Sequence, residues 1–314
     1  MAALSLSTLV NAKTFTNPLK TYNGSDPFMV YYDGYYYLTT TTWDNIQITR
    51  ATTLTGLKTA TAKTVWTDST ASRCCNIWAP EIHQIDGTWY IYYTAGISAD
   101  TGSQHPHVLE GGSSPWDSYS YLGQLSTDWG IDGTVAEIND KNYFLWSCID
   151  DSDQCICLAQ LTDPSTIGTK HIISRPTRSW EDVGADVNEG PNCITHDSTV
   201  YCTYSASYCW TSSYALGLLT LTGSSPTASG AWTKTGPVFS SANGNYGPGH
   251  NAWFLSPDES ETWQVFHATT ESSGACDGNR YTMAQKVTWD SDGTPDFGDP
   301  EATGTALTVP SGED

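Results

Sequence analysis

The chain has few basic residues for its length. Across 314 residues, 13 Lys and Arg face 34 Asp and Glu, so the formal net charge is −21. Nucleic acids and anionic membrane surfaces are bound through basic patches, and this balance argues against both. The chain also has no run near the roughly 18 apolar residues that a membrane-spanning helix requires. We therefore expect neither a nucleic acid nor a membrane as a partner.

Three further absences concern the cysteines, the start of the chain and its interior. None of the nine cysteines shows the paired CxxC spacing of a zinc site. Residues 1–13 have neither the basic nor the apolar segment of a secretory signal, so we interpret them as a mature or trimmed start. Because no spacer or charge block divides the chain, we expect one catalytic domain over residues 1–314. Up to four disulfides and one free thiol are expected, with Cys74 and Cys75 forming either a vicinal bridge or two separate thiols.

What the sequence does contain is one sequence motif repeated five times. Each copy has a short apolar run, a turn with Asp or Asn, and a strand dense in Tyr, Trp or Phe. The copies recur every 53 to 62 residues, and such a period with several short strands per unit is typical of a propeller. Asp33-Gly34 and Asp86-Gly87 are strong hairpin signals, and no useful length has a helical period. We predict an all-β, five-bladed β-propeller with blades starting near Asp26, Ala79, Asp132, Glu189 and His250.

Four of the five copies open with an ionisable residue at one register, namely Asp26, Asp132, Glu189 and His250. In a radial repeat, equal register becomes equal height around one axis, so these side chains are expected around a single pit. A β-sandwich, the alternative fold, would not explain an even period with matched polar residues. Burying unpaired carboxylates has no structural benefit. Two carboxyl groups across a polar pit are the minimum for glycoside hydrolysis, and a third can raise the pKa of the acid.

Loops between the second and third strands of each copy are expected on the rim of this pit. They carry Trp43 and the segments 98–107, which ends at His107, 150–154, 208–210, which ends at Trp210, and 271–279. Arg280 begins the last third strand. Polar groups at the centre and aromatic groups on the rim favour a carbohydrate ligand.

Five segments resemble the successive signatures of glycoside hydrolase family 43: SDPFMVYYDGYYYL, WAPEIH, IDGTVAEINDKNYFLW, NEGP and GPGHN. The resemblance runs from Asp26 to about Gly298. It implies a β-propeller hydrolase that inverts configuration, in which Asp26 is the general base that activates water. By the same resemblance Glu189 is the general acid, and Asp132 positions Glu189 and tunes its pKa.

The resemblance also implies residues that contact the ligand. Trp78 in WAPEIH resembles the sugar-stacking wall of the family, with ordinary core packing as the alternative. Arg280 resembles the arginine that contacts the sugar in the cleaved subsite, with a surface ion pair as the alternative. His250 matches an axial histidine near which a calcium ion commonly sits, held largely through water; a buried, hydrogen-bonded histidine is the alternative. Candidates for substrate binding by loop position alone are Trp43, Trp210 and His107, and no organic cofactor is expected.

The family contains arabinan-, xylan- and galactan-directed enzymes, and the length of a single domain favours arabinan because the xylosidase branch appends a β-sandwich. The segments SQHPHVLEG and RYTMAQKVTWDSDGTP resemble the exo-acting α-1,5-L-arabinofuranosidase branch. We expect a secreted, extracellular monomer that releases terminal α-1,5-linked L-arabinofuranose from arabinan and arabino-oligosaccharides. The alternatives in this class are an endo-α-1,5-L-arabinanase, an arabinoxylan arabinofuranosidase and a β-xylosidase. A non-catalytic carbohydrate-binding propeller is disfavoured, because the residue at the key register differs from copy to copy.

Overall fold

The computed structural model describes residues 13–313 of the chain. All strands except a separate terminal pair form five antiparallel sheets that follow one another along the sequence, which confirms the predicted all-β, five-bladed β-propeller. A short helix, α1 (Leu54–Leu57), lies within blade 1. Among the described residues, no helix has the length and apolar character needed to span a bilayer.

Each blade is a sheet of four or five strands, numbered in chain order. Blade 1 contains β2 (Phe28–Tyr32), β3 (Tyr35–Thr39), β4 (Ile46–Ala51) and β5 (Lys63–Trp66). Blade 2 contains β6 (Cys75–Ile85), β7 (Thr88–Ile97), β8 (Asp100–Glu110) and β9 (Ser120–Gln124). Blade 3 contains β10 (Gly130–Glu137), β11 (Asn142–Asp150), β12 (Asp153–Asp163), β13 (Thr166–Ile167) and β14 (His171–Ser174). Blade 4 contains β15 (Asn188–His196), β16 (Thr199–Ala206), β17 (Ala215–Leu221) and β18 (Trp232–Phe239). Blade 5 contains β19 (Tyr246–Leu255), β20 (Thr262–Thr269), β21 (Tyr281–Trp289) and β22 (Pro295–Asp296). Outside the blades, β1 (Thr14–Thr16) pairs with β23 (Ala306–Thr308).

The first strand of each blade lies next to the first strand of the following blade. β2 contacts β6, β6 contacts β10, β10 contacts β15, and β15 contacts β19. The last of them, β19, contacts β2 and closes the ring. These five strands therefore surround the axis, and their ends decide which side chains meet there.

The ring is also closed by the segment that precedes blade 1. The Leu19 N–H donates to Thr282 O at 2.8 Å, and the Thr282 N–H donates to Lys20 O at 2.9 Å. Gly24 approaches β21 so closely that a Cβ there would lie 2.6 Å from Thr282 N, which only glycine avoids. This contact positions Asp26, two residues later, against blade 5.

The two predicted hairpin turns are confirmed. Asp33 and Gly34 join β2 to β3 with φ of 46° and 83°, and Asp86 and Gly87 join β6 to β7 with φ of 50° and 82°. A Cβ on either glycine would meet nothing within 4 Å. The glycines are therefore needed for positive φ in a two-residue turn and not for close packing.

The nine cysteines form four disulfides and leave Cys155 as a buried free thiol. The four bridges and the single free thiol agree with the expectation from the sequence, and of the two alternatives for Cys74 and Cys75 the structure has the vicinal bridge. Within the described residues, Cys209–Cys276 is the one bridge that joins two blades, because it links the β16–β17 loop to the β20–β21 loop. The other two bridges each lie within a blade: Cys148–Cys157 in blade 3 and Cys193–Cys202 in blade 4.

Candidate active site

The candidate site is built on a bulge that recurs in the first strands. In blades 2 to 5, two residues of the first strand stand opposite one residue of the second, as Asp132 and Gly133 do between Ile131 and Thr134 in β10. Such an extra residue bends the strand and re-aims its side chains. Positive φ in non-glycine residues is a conformational strain that clusters at functional sites. Here one residue with positive φ stands at the equivalent position of every blade: Asp26 (53°, just before β2), Ala79 (43°), Asp132 (59°), His250 (46°) and, in blade 4, a glycine, Gly190 (54°).

This bulge corrects the register that the sequence suggested for blade 4. Gly190, and not Glu189, takes the position that Asp132 has in blade 3. Glu189 stands one residue earlier, where blade 2 has Trp78. Glycine suits the position because its φ is positive and a Cβ would lie 2.9 Å from the His250 ring. Spacing along the chain did not show the shift, because the bulge lets residues at neighbouring positions line the same cavity.

The bulges surround a cavity of about 380 Å³, a size suited to a small ligand. The structure brings every predicted site residue except His107 to its lining: Asp26, Trp43, Trp78, Asp132, Glu189, Trp210, His250 and Arg280. The lining also includes Thr41, Trp129 and Ile131, which were not proposed from the sequence. Its other residues lie in segments that were expected on the rim: Thr101, Gln154, Tyr208, Cys209 and Cys276.

His107 is placed elsewhere, which corrects its assignment to substrate binding. Its side chain is 1% exposed, its Nδ1 lies 3.2 Å from Tyr121 Oη, and its ring packs 5.5 Å from that of Tyr93. The rim loop was expected to extend to residue 107, but β8 already begins at Asp100. His107 is therefore a buried residue in the middle of a paired strand.

Asp26 is held as an ionised carboxylate. Its Oδ1 lies 3.2 Å from Arg280 Nη1, 3.4 Å from His250 Nδ1 and 3.5 Å from His267 Nδ1. Its Oδ2 accepts a hydrogen bond from Thr41 Oγ1 at 2.6 Å. Burial alone would raise the pKa of Asp26, but Arg280, His250 and the Thr41 hydrogen bond outweigh it and hold the pKa well below its usual range. Asp26 can therefore accept a proton in mildly acidic water.

Asp132 and Glu189 are shifted in the opposite direction. Burial raises the pKa of both carboxyl groups, and the nearby charges of Glu189 and Asp26 add to the shift of Asp132. Tyr214 Oη donates to Glu189 Oε1 at 2.8 Å, and Gln154 Nε2 donates to Oε2 at 2.9 Å, but these bonds offset only part of the effect of burial. The cavity thus has a pair of carboxyl groups that retains a proton and a third carboxyl group, Asp26, that has lost one.

His250 lies between these carboxylates. Its Nδ1 is 3.4 Å from Asp26 Oδ1 and 3.8 Å from Asp132 Oδ2. Burial would lower its pKa, but the carboxylates of Asp132, Asp26 and Glu189 outweigh burial and raise it. A protonated imidazole at this position offsets part of the repulsion among the three carboxyl groups.

The residues around His250 do not form a direct metal site. In the part of the chain that the structure describes, no group of three or more His, Cys, Asp or Glu side chains is arranged to hold an ion. Calcium prefers about six to eight oxygen ligands. A calcium ion here would be held by one imidazole nitrogen with water as the rest of its shell, and the expected calcium stays a prediction.

Aromatic side chains form the walls of the cavity. The rings of Trp43 and Trp78 meet edge to face with centroids 6.0 Å apart. Trp129 lines the cavity immediately before β10, and Tyr208 and Trp210 are 42% and 47% exposed on the rim of blade 4. Aromatic walls with a few convergent polar groups are typical of small-molecule sites, and they suit a ligand with both apolar faces and hydroxyl groups.

Four residues that hold the two key carboxylates were not identified from the sequence. Thr41 and Tyr214 hold Asp26 and Glu189 from within the same blade. His267 and Gln154 hold them from the preceding blade: the Asp26 N–H donates to His267 Nδ1 at 3.1 Å, and Gln154 donates to Glu189. All of them lie at or near the ends of second and third strands, facing the rim. This position at a strand end is the sequence signal that would have identified Thr41 and Tyr214. No such signal identifies His267 and Gln154 as partners of Asp26 and Glu189, because those contacts depend on how neighbouring blades pack.

The chain matches the family described as "Glycosyl hydrolases family 43" over residues 15–295. An "Extracellular exo-alpha-(1->5)-L-arabinofuranosidase" of Streptomyces avermitilis is 41% identical over 311 residues, covering 93% of this chain and 64% of that protein. "Alpha-L-arabinofuranosidase 43" of Humicola insolens is 36% identical over 302 residues, covering 89% of this chain and 62% of that protein.

Solved structures agree with the fold. The crystal structure of an alpha-L-arabinofuranosidase from Lactobacillus brevis superposes with a TM-score of 0.86 at 31% identity, covering 93% of this chain and 98% of that one. The two curated relatives are longer: the chain spans 64% and 62% of their lengths.

Proposed function

The chain belongs to glycosyl hydrolase family 43, and on that basis we propose that it is an inverting, exo-acting α-L-arabinofuranosidase. Its substrate in this proposal is terminal α-1,5-linked L-arabinofuranose in arabinan and arabino-oligosaccharides. The observation that carries the proposal is the opposite protonation of carboxyl groups in one cavity: Asp26 is held ionised, while Asp132 and Glu189 are held towards their protonated forms. The similar proteins from Streptomyces avermitilis and Lactobacillus brevis are described as arabinofuranosidases, which supports the choice of sugar, and the description of the former as exo-acting supports exo action.

In the proposed mechanism a water molecule stands between Asp26 and the anomeric carbon. As its oxygen attacks that carbon, it gives a proton to Asp26. Glu189 gives its own proton to the glycosidic oxygen, whose bond to the anomeric carbon breaks. Asp132 helps Glu189 to keep its proton until this step. Inversion requires room for the water, which corresponds to carboxyl groups about 6.5–9.5 Å apart.

The remaining lining residues receive binding roles in this proposal. Trp78, supported by Trp43, forms the wall against which the arabinofuranose ring packs. Arg280 holds Asp26 in place and lies where it can also donate to a sugar hydroxyl. Trp210, on the rim of blade 4, contacts the part of the arabinan that departs as the leaving group.

We also propose that the protein is a secreted, extracellular monomer. The disulfides suit an oxidising compartment, and the Streptomyces avermitilis relative is described as extracellular. A calcium ion near His250, held mainly through water, completes the proposal as a component that no proton transfer depends on.

The test is product analysis of linear α-1,5-arabinan by anion-exchange chromatography, sampled from the first minutes of reaction. The proposal expects arabinose alone at early times. An early ladder of oligosaccharides would instead identify an endo-α-1,5-L-arabinanase. The same test with arabinoxylan and xylo-oligosaccharides distinguishes the arabinoxylan and xylosidase alternatives. If no substrate yields a product while arabinan still binds, the protein is a carbohydrate-binding propeller and the proposal is wrong.

A further inference from the structure

The Cys209–Cys276 disulfide differs from the other bridges in its location. Both of its cysteines line the cavity, and it joins loops of blades 4 and 5 across 67 residues of sequence. The bridges Cys148–Cys157 and Cys193–Cys202 each span 9 residues and join strands that are already paired by backbone hydrogen bonds. The Cys209–Cys276 bridge therefore constrains the relative position of two loops that backbone pairing does not fix.

The two loops that it joins have few other ties to each other. Among the residues that the structure describes, no hydrogen bond connects segment 207–214 to segment 271–279. They do pack backbone to backbone at one point. Gly274 has φ of 91°, and a Cβ there would lie 2.4 Å from the carbonyl carbon of Thr211. The disulfide is thus the covalent fastening of two loops that are shaped to touch.

Each loop carries groups of the proposed reaction. Segment 207–214 presents Trp210 to the cavity and ends at Tyr214, whose hydroxyl donates to Glu189. The other loop leads directly to Arg280, which contacts Asp26. The bridge therefore connects the side of the proposed general acid to the side of the proposed general base.

The position of Glu189 indicates which part of the substrate the rim around Cys209 contacts. A general acid in glycoside hydrolysis protonates the leaving oxygen, so the leaving sugar lies beside it. Tyr208 and Trp210 flank Cys209 on the same rim and are about half exposed, so their rings are free to receive a ligand. Without the cross-link, this rim segment would keep its own turn bonds and its packing against Gly274, but it would lose its covalent attachment to blade 5.

We propose that the Cys209–Cys276 disulfide is a specificity-determining element that holds the Tyr208–Trp210 rim in place for the leaving arabinose unit. This inference rests on the proposed function, because it takes Glu189 as the acid. The expected consequence is selective. Loss of the bridge lowers kcat/KM for substrates whose leaving group is a sugar more than for substrates whose leaving group is a fluoride ion.

The test compares a Cys209→Ala/Cys276→Ala variant with a Cys193→Ala/Cys202→Ala control, which removes a bridge remote from the cavity. The two substrates are α-1,5-L-arabinotriose, which needs the rim, and α-L-arabinofuranosyl fluoride, whose fluoride leaves without a sugar contact. For the cavity variant we expect kcat/KM on arabinotriose to fall about tenfold, mainly through KM, with a much smaller fall on the fluoride. The control should change the ratio between the two substrates by less than about twofold.

Equal losses on both substrates, or an unchanged ratio, would overturn the inference while leaving the proposed function standing. Failure of the wild-type protein to cleave either substrate would overturn both. If the cavity variant does not fold, Trp210→Ala with the bridge intact replaces it. That variant must show the same selective loss on arabinotriose, and an unchanged ratio overturns the inference.

Discussion

Two clusters of buried charge in this molecule are built in opposite ways. In the β14–β15 loop, which joins blade 3 to blade 4, Glu181 is 0% exposed, and its carboxylate accepts hydrogen bonds from Lys234 at 2.8 Å and Tyr204 at 2.7 Å. The backbone N–H groups of Thr177 and Arg178 donate to it as well. Burial would raise the pKa of Glu181, but these partners outweigh burial and lower it. Every lone pair is used and the charge is balanced.

In the cavity, three carboxyl groups share two cationic side chains, whereas Glu181 has Lys234 to itself. Arg280 and His250 both approach Asp26, and this leaves Asp132 and Glu189 with raised pKa values. A buried carboxylate that is fully paired stabilises a fold or at least does not strain it, whereas an incompletely compensated one is free to exchange a proton. The difference separates a structural cluster from a reactive one in the same protein.

The largest expected effect tests the reactive cluster. Glu189→Gln should lower kcat/KM on arabino-oligosaccharides about a thousandfold, because the amide cannot give a proton to the leaving oxygen. Binding of arabinobiose, measured by calorimetry, should be largely retained. Full activity in a folded Glu189→Gln variant would show that another group is the acid.

The matched change in the structural cluster should act on stability instead. Glu181→Gln leaves Lys234 without its charged partner, and the expected loss is about 3 kcal/mol of unfolding free energy. Urea denaturation measures this loss, and kcat on arabinotriose at 25 °C should stay within about twofold of wild type. A variant with normal stability but impaired catalysis would break the distinction between the two clusters.

A smaller effect concerns the pH profile. A neighbouring negative charge raises the pKa of a carboxyl group, so Asp132→Asn should lower the pKa of Glu189 and move the alkaline limb of kcat/KM about one unit to lower pH. The acid limb depends on Asp26, whose pKa lies below its usual range, and should remain at low pH. An alkaline limb that stays in place or moves upward would contradict the coupling of Asp132 to Glu189.

The smallest expected effect comes from removing calcium. With one imidazole as its protein ligand, an ion near His250 would be weakly held, and dialysis against EDTA should reduce activity only about twofold, reversibly on adding calcium. Metal analysis before and after dialysis gives the occupancy. Complete, calcium-reversible inactivation would mean that a cation, and not protonated His250, balances the charge of the cavity.

Much of this molecule could be predicted from local features of the chain. Asp33-Gly34 and Asp86-Gly87 form the expected turns because the preference for positive φ belongs to the residues themselves. The fivefold repeat predicted the propeller, since each copy carries the strands of one blade. The clustering of Asp26, Asp132 and Glu189 followed from the repeat, because equivalent strands of a ring must end near one axis.

Errors arose where the backbone geometry of a strand, and not its sequence pattern, decided the outcome. The bulge in β15 places Glu189 one position before the position that Asp132 occupies in β10. Because both residues stand almost the same number of residues before the turn of their blade, the spacing along the sequence did not reveal this shift. β8 begins seven residues before His107, so a residue expected on the rim is buried in a strand. The position of the bulge and the start of β8 both depend on how far the backbone pairing of each hairpin extends. The neighbouring blades influence that extent.

By itself, the sequence determined the number of blades, the turns and the carboxyl groups that gather at the axis, since these depend on local propensity and on the repeat. Only the tertiary structure decided how those groups differ chemically. The pairing of Cys209 with Cys276, the reach of Gln154 and His267 into the next blade, and the opposite pKa shifts of Asp26 and Glu189 all join residues far apart in the chain. Electrostatic and hydrogen-bond energies depend on distance and burial in the folded ring, and neither can be measured along a sequence.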